Sequence, residues 1–225
     1  MSKIAIIIGH YVKGKDKGAV NYKGEPESLY NLRIAQKLKT SLASHNIEVK
    51  IFTRDEYVTF ARIAEGIRIF GAKLSIELHF NSFAKAALGC ECLALAGDQT
   101  SILFSDLLTD KISDIMKVSE RHDLGKTDGV LIIAKGGRGF NNLNIVKKVN
   151  KLIPVVLIEP CFANLRTKES EKFFESEYLY VQSIETAVLS WLQQSSPKAS
   201  PTIKPTVSPK NIKEKIVNVI RSDYK

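Results

Sequence analysis

"KIAIIIGH", residues 3–10, is the stretch of sequence that decides the fold. Its continuous run of isoleucines is typical of a strand buried on both faces, because a strand with one solvent face alternates apolar and polar residues. The run ends abruptly at Gly9 and His10. Strands of this kind belong mainly to parallel sheets covered by helices, so the stretch favours an α/β fold.

The rest of the chain alternates strands with helices. Pro26 suits the first position of a helix that ends near Ser44, with leucines at helical spacing. Further strands are predicted at 47–53, 72–80, 89–97, 129–134 and 153–160, and further helices around 59–70, over 99–118 and from 167 to 192. The pattern predicts a single α/β domain with a mostly parallel six-stranded sheet and helices on both faces.

The chain changes character at Pro197. Four of its seven prolines fall at 197, 201, 205 and 209, among Ser, Thr and Lys, which is typical of an extended linker. We therefore predict a folded domain over 1–196, a Pro/Ser/Thr/Lys-rich linker over 197–211 and a short basic tail over 212–225. The tail is either an amphipathic helix, with its apolar residues on one face, or a disordered terminus.

Charge and cysteine content narrow the class of protein. The net charge is +9, and the last 29 residues carry seven Lys or Arg against two acidic residues, which points to an anionic partner. No apolar run approaches the roughly 18 residues of a membrane span or forms a signal-peptide core, so we expect synthesis in the cytoplasm. Three cysteines without metal-site spacing argue against a disulfide framework.

Four polar residues are predicted to meet at one edge of the sheet. His10, His79 and Glu159 each end a predicted strand, and Glu27 opens the first helix. In an open parallel sheet the ligand site lies beyond the carboxyl ends of the strands. A strand-end histidine can be a plain loop residue, and a helix-opening Glu can serve the helix dipole. Together, however, two histidines and a carboxylate match a catalytic zinc site, with a second carboxylate free to move protons.

The sequence resembles the zinc-dependent N-acetylmuramoyl-L-alanine amidases of the Amidase 3 type over residues 3–192. The resemblance rests on five motifs in the same order: "IIIGH", "GEPESLYNLRIAQKL", "VKIFTRDEYVTFARI", "SIELHFNS" and "VVLIEPCFANL". It implies that His10, Glu27 and His79 bind Zn²⁺ and that Glu159 is the catalytic carboxylate. It also implies a peptidoglycan substrate, cleaved at the amide between N-acetylmuramic acid and L-alanine.

The resemblance suggests a setting for the enzyme. Peptidoglycan lies outside the membrane, and without an export signal we expect a phage endolysin that a separate membrane-permeabilising protein releases onto the cell wall. The basic tail would adhere to anionic envelope surfaces, and no nucleic-acid partner is expected. Two other functions remain open: a cysteine hydrolase that pairs Cys161 with His10 or His79, and a non-catalytic module that binds anionic polymers.

Residues around the predicted site have weaker assignments. The segment "AKGGRGFNNLN", 134–144, is predicted to be a loop that forms one wall of the substrate groove, with Arg138 and Asn141 as substrate contacts. Asn81 is expected to shape the turn after His79 and to be a further substrate contact. Arg54 and Arg62 are expected to pair near the surface with acidic neighbours, namely Asp55, Glu56 or Glu65.

Overall fold

The computed structural model describes residues 1–82, 88–121 and 129–195. The predicted linker and tail lie outside this part of the chain. The strands are β1 (Ser2–Ile8), β2 (Ile47–Thr53), β3 (Leu74–Leu78), β4 (Glu91–Leu95), β5 (Val130–Ile133) and β6 (Val155–Glu159). The helices are α1 (Glu27–Ala43), α2 (Arg54–Tyr57), α3 (Phe60–Phe70), α4 (Gln99–Met116), α5 (Phe140–Val149), α6 (Lys168–Glu175) and α7 (Glu177–Ser195).

The six strands form one sheet in the order β2-β1-β3-β6-β4-β5. The first four strands of that order run parallel to one another. β4 pairs antiparallel with β6 and parallel with β5, so the last two strands run in the opposite direction. The predicted fold class, a mostly parallel six-stranded sheet in one α/β domain, is confirmed.

Both faces of the sheet are covered, as the isoleucine run predicts. Along β1, Ile4, Ile6 and Ile8 pack with residues of α1, α4 and α7, whereas Ala5 and Ile7 pack with residues of α3 and α5. Side chains of successive residues point to opposite faces of a strand, so an uninterrupted apolar run fills both cores at once. Among the described residues, no helix combines the length and the hydropathy that a membrane span requires.

The predicted loop over 134–144 is wrong from Phe140 onward, where α5 begins. The helix buries Leu143 and Val146 against the sheet, and these two positions lie one turn apart. Asparagines at 141, 142 and 144 have low helix propensity and conceal this pattern in the sequence. The short helix α2 was also not predicted; the side chain of Thr53 caps it by accepting a hydrogen bond from the Glu56 N–H.

Candidate metal centre and active site

The structure brings three of the predicted site residues into one cluster. His10 follows β1, His79 follows the neighbouring strand β3, and Glu27 is the first residue of α1. One ligand atom from each residue lies within 4.8 Å of the other two. Glu27 Oε1 is 2.9 Å from His79 Nδ1, and Glu27 Oε2 is 3.6 Å from His10 Nε2. We call these three residues the metal cluster.

Glu27 is buried and firmly held. Its two carboxylate oxygens accept hydrogen bonds from the backbone N–H groups of Phe80 (3.1 Å) and Ala19 (2.9 Å). Burial alone would raise the pKa of Glu27, but the hydrogen bond with His79 and the charges of both histidines outweigh it, and the pKa is lowered. Glu25, two residues earlier, forms an ion pair with Arg33 instead. Glu27 is therefore the acidic member of the cluster.

Each histidine has a second carboxylate on the ring nitrogen that faces away from Glu27. Glu77 Oε1 lies 2.9 Å from His79 Nε2, and Asp16 Oδ1 lies 3.0 Å from His10 Nδ1. Although burial opposes protonation, the bonds to Glu27 and Glu77 raise the pKa of His79 to about 10. Histidines that bind metals usually donate their other ring N–H to such a partner. Two imidazoles and one carboxylate are also the donor set of a catalytic zinc site.

Two glycines make room for the cluster. A Cβ atom on Gly9 would lie 2.0 Å from His79 Nε2, so only glycine allows the ring to rest on this part of the backbone. A Cβ atom on Gly18 would lie 2.5 Å from Glu27 Oε2 and 2.6 Å from His10 Cδ2. Gly18 also has φ +78°, a conformation that favours glycine. The chain thus approaches the cluster from two sides at positions without side chains.

Glu159 lies beside the cluster on the neighbouring strand. The backbone N–H of His79 donates to the Ile158 carbonyl (3.0 Å), which places the end of β6 next to His79. Burial raises the pKa of Glu159 to about 8, against the opposing charge of Arg138. Arg138 Nη1 is 2.9 Å from Glu159 Oε2, yet that oxygen accepts no hydrogen bond from any residue that the structure describes, so the contact is an ion pair by its geometry. A carboxyl group of this kind can hold or release a proton near neutral pH.

A second carboxylate, Glu91, was not predicted to belong to the site. Glu91 opens β4 and pairs in register with Glu159. It accepts hydrogen bonds from Asn81 Nδ2 (2.6 Å), Arg121 Nη1 (2.8 Å) and Arg138 Nη2. Burial works against ionisation of Glu91, but the charge of Arg138 outweighs it and leaves its pKa lowered. The two adjacent carboxyl groups therefore differ, with Glu91 ionised at a pH where Glu159 retains its proton.

The three predicted substrate contacts occupy different positions. Arg138 is partly exposed at the edge of the site and joins Glu91, Glu159 and Asn81. Asn81 is buried, and both ends of its amide are engaged, by Glu91 and by Arg138 (2.6 Å each). Asn141 is exposed on the first turn of α5. A direct contact of any of the three with substrate stays a prediction.

The ion pairs expected for Arg54 and Arg62 are not observed: neither forms one with Asp55, Glu56 or Glu65, all of which the structure describes. Arg54 stacks on the ring of Tyr11, 4.2 Å from its centroid, and donates to the Tyr11 hydroxyl (3.0 Å). Asp55 instead accepts hydrogen bonds from backbone N–H groups of the loop after His10. Arg54 and Asp55 therefore contact residues of that loop rather than each other.

Cys161 does not have the environment of a catalytic thiol. Its side chain is buried in the core on the α1, α4 and α7 face of the sheet. Burial raises the pKa of the thiol well above its ordinary value, whereas a nucleophilic cysteine needs an accessible thiolate. Cys90 and Cys92 are likewise free and buried. The cysteine-hydrolase alternative therefore has no support from the site.

The fold and the cluster define an α/β domain with a His-Glu-His centre at the carboxyl edge of its parallel strands. The sequence model of the N-acetylmuramoyl-L-alanine amidase family, Amidase_3, matches residues 4–190. This chain belongs to that family. No curated protein matches the chain in a sequence search.

Solved structures of amidases have the same fold. The catalytic domain of CwlV, an N-acetylmuramoyl-L-alanine amidase from Bacillus (Paenibacillus) polymyxa var. colistinus, is 20% identical, with a TM-score of 0.68 over 86% of this chain and 99% of that domain. An N-acetylmuramoyl-L-alanine amidase from Clostridium difficile 630 is 22% identical, with a TM-score of 0.68 over 87% and 98%. The catalytic domain of the CD27L endolysin, which targets Clostridia difficile, is 18% identical, with a TM-score of 0.59 over 88% and 100%. At these identities the likeness shows the fold alone.

Proposed function

We propose that this protein is a zinc-dependent peptidoglycan hydrolase that cleaves the amide bond between N-acetylmuramic acid and L-alanine. The observation that carries the proposal is the metal cluster, in which His10, Glu27 and His79 converge to within 4.8 Å in a chain of the amidase family. Zinc, when bound there, supplies a Lewis acid that activates water and polarises the scissile carbonyl.

We assign proton transfer to Glu159. Amide hydrolysis needs a base that takes a proton from water and an acid that protonates the leaving amine, and one carboxyl group can do both in turn. Within the described part of the chain no group donates a hydrogen bond to Glu159 Oε2, which leaves this oxygen available for the incoming proton. Burial raises the pKa of Glu159, and a higher pKa makes a carboxylate a stronger base. The alanine nitrogen then receives the proton as the amide bond breaks.

Glu91, Arg138 and Asn81 form a polar network around Glu159, in which the charges of Glu91 and Arg138 act on its pKa in opposite directions. Arg138 bridges the two carboxyl groups, and Asn81 links Arg138 to Glu91 from the strand end that carries His79. The ionised Glu91 keeps a negative charge beside Glu159, which favours its protonated form. Arg138, at the edge of the site, and Asn141, exposed on the first turn of α5, are our candidates for orienting the substrate.

Substitution of each carboxylate separates the two roles. Glu159→Gln keeps the size of the side chain but cannot accept the proton, so turnover of muropeptide should fall roughly 10²- to 10⁴-fold with stoichiometric zinc retained. Glu27→Gln should lose zinc and activity together, because a neutral amide is a poorer zinc ligand. Zinc content and turnover are measured on both variants. Zinc loss in Glu159→Gln with retention in Glu27→Gln would show that the roles are reversed.

Two measurements address the other candidate functions. Full activity in a verified metal-free sample would rule out the zinc mechanism. Cys161→Ala should keep its activity, and a folded, zinc-loaded but inert variant would restore the cysteine hydrolase. A non-catalytic module would bind envelopes but release no product from purified muropeptides.

For the biological role we propose lysis of a bacterial host, with the basic tail adhering to the anionic envelope. The charge of the last 29 residues supports the tail's part in this role. Deletion of 197–225 should leave turnover of soluble muropeptides unchanged, while binding to whole envelopes weakens and loses its salt dependence. A full-length control with tail lysines replaced by glutamine separates charge from length. Lysis that requires co-expression of a membrane-permeabilising protein would support the endolysin role, and lysis without one would contradict it.

A further inference from the structure

Glu77 is a buried carboxylate with two specific partners. It lies within β3, two residues before His79, and is buried. Its Oε1 atom is 2.9 Å from His79 Nε2 and accepts a hydrogen bond from Asn142 Nδ2 on α5 (3.1 Å). A buried carboxylate is costly unless it is paired and hydrogen-bonded. The position of Glu77 therefore calls for a specific role in the site.

The two nitrogens of the His79 ring face different carboxylates. Nδ1 faces Glu27 inside the metal cluster, and Nε2 faces Glu77 outside it. When Nε2 carries the proton and donates it to Glu77, Nδ1 presents a lone pair to the cluster. In the other tautomer, an N–H would point into the cluster, and Nε2 and Glu77 would face each other with lone pairs only. Glu77 thus selects the tautomer that can bind a metal ion through Nδ1.

The surroundings of the ring reinforce this selection. Gly9 lies so close to Nε2 that even a methyl group would not fit between them. Asn142 holds the Glu77 carboxylate from the helix on that face of the sheet, so the carboxylate does not depend on His79 alone for its orientation. The ring is therefore fixed on one side by backbone and on the other by a supported carboxylate.

We propose that Glu77 is a positioning residue, which holds Nε2–H of His79 so that Nδ1 is presented to zinc, and that Asn142 holds Glu77 in place. The inference rests on the proposed zinc site and adds two residues to it. Neither residue contacts the substrate in this scheme. Carboxylate partners of this kind typically change metal affinity by 10- to 100-fold when they are removed.

The test compares zinc affinity, measured by competition with a chelator, in the full-length protein and four variants. Glu77→Ala should bind zinc about 10- to 100-fold more weakly. Glu77→Gln keeps an oxygen that can accept the hydrogen bond and should lose less, and Asn142→Ala should lose least. Ser75→Ala is the matched control, because Ser75 is also buried on β3, two residues before Glu77 on the same face. It should bind zinc like the unmodified protein.

Nitrogen NMR of His79 provides a readout that a purely structural role would not move. In the zinc-loaded protein, Nδ1 should carry the shift of a metal-bound nitrogen and Nε2 that of a protonated one, with the Nε2 proton protected from exchange. Glu77→Ala should lose that protection, and Glu77→Gln should keep it. Glu77→Gln is nearly isosteric and still decides the question if the alanine variant does not fold.

The outcomes separate this inference from the function on which it rests. Zinc binding by the unmodified protein, together with unchanged affinity and an unchanged His79 spectrum in Glu77→Ala, would overturn the role of Glu77 alone. Zinc bound through Nε2 would do the same. Failure of the unmodified protein to bind zinc would overturn the zinc site itself.

Discussion

Each histidine of the metal cluster has Glu27 near one ring nitrogen and a second carboxylate near the other. The two histidines differ in how deeply they and these second carboxylates are buried. His79 follows an interior strand, its side chain is 12% exposed, and its carboxylate partner Glu77 is 2% exposed. His10 lies at the start of a loop, its side chain is 26% exposed, and its partner Asp16 is 59% exposed. One histidine is built into the end of the sheet, and the other is carried by a more exposed segment. We infer that the His79 side of the cluster is preformed and that zinc, bound at the proposed site, would do more to order the His10 side.

The loop that carries His10 is anchored at its end by buried Glu27, which accepts from the Ala19 N–H, but near its start by an exposed residue, Asp55. Asp55 accepts hydrogen bonds from the backbone N–H groups of Val12 (2.6 Å) and Lys13 (2.9 Å). The Tyr11 N–H donates to the Asp16 carbonyl, which closes the loop on itself (2.9 Å). Because α2 carries Asp55, this short helix determines where His10 is presented.

The largest effect in this comparison is expected from Gly9→Ala. The new methyl group would require a 2.0 Å contact with His79 Nε2, and the interior strand cannot move to relieve it. Zinc affinity should fall on the order of 100-fold, and the free energy of unfolding by about 1–3 kcal/mol. Gly18→Ala, which crowds His10 and Glu27 from the loop, should have a smaller effect on affinity because the loop can shift. Equal losses of zinc affinity in the two variants would contradict the view that the strand before His79 is stiffer than the loop after His10.

Removal of zinc should affect the two sides unequally. A ligand that binds only the folded state contributes about 4 kcal/mol at a thousandfold excess over its Kd. We expect a chelator to lower the melting temperature and to accelerate amide hydrogen exchange in the loop over residues 11–19. Exchange in β3 should change little, because its amides belong to the sheet ladder. Equal acceleration in both segments would show that the His79 side is not preformed.

Asp55→Ala should lower zinc affinity indirectly, because Asp55 holds the loop after His10 and is not a member of the metal cluster. The variant loses an acceptor for two backbone N–H groups, which at this exposed position should cost about 1 kcal/mol, or roughly fivefold in zinc affinity. Glu56→Ala is the control, since Glu56 is an exposed neighbour on the same short helix. Titration of zinc into both variants provides the measurement. A loss as large in the control would mean that helix α2 as a whole, rather than Asp55, is responsible.

Asp16→Ala should have the smallest effect. Asp16 is the counterpart of Glu77, but it is well exposed and its contact with His10 is screened by water and salt. Zinc affinity should fall by no more than a few-fold, and the difference should shrink as ionic strength rises. A loss that matches Glu77→Ala and is insensitive to salt would show that exposure does not weaken this carboxylate–histidine pair.

The sequence predicts the metal cluster because its members end parallel strands or open the helix that follows. It does not reveal Glu91, because "GCECLALAG" carries no sign of strand direction; in an antiparallel strand the first residue, not the last, reaches this edge. For Glu77 a signal existed. In "LSIELHF" the polar residues alternate at 75, 77 and 79, which places them on one face of a strand otherwise filled with apolar residues. α5 stayed hidden because tertiary packing outweighs its weak helix propensity.

The position of β6 in the sheet has a consequence for the order in which the protein can form. This strand is the last of the six in the chain, yet it lies between β3 and β4 and also bears Glu159. Without β6, the other five strands can pair only as two separate groups, β2-β1-β3 and β4-β5, each with an open edge where β6 inserts. Insertion of β6 joins the two groups, covers both edges and brings Glu159 beside His79. Under the role proposed for Glu159, the protein is inactive until its sheet is complete.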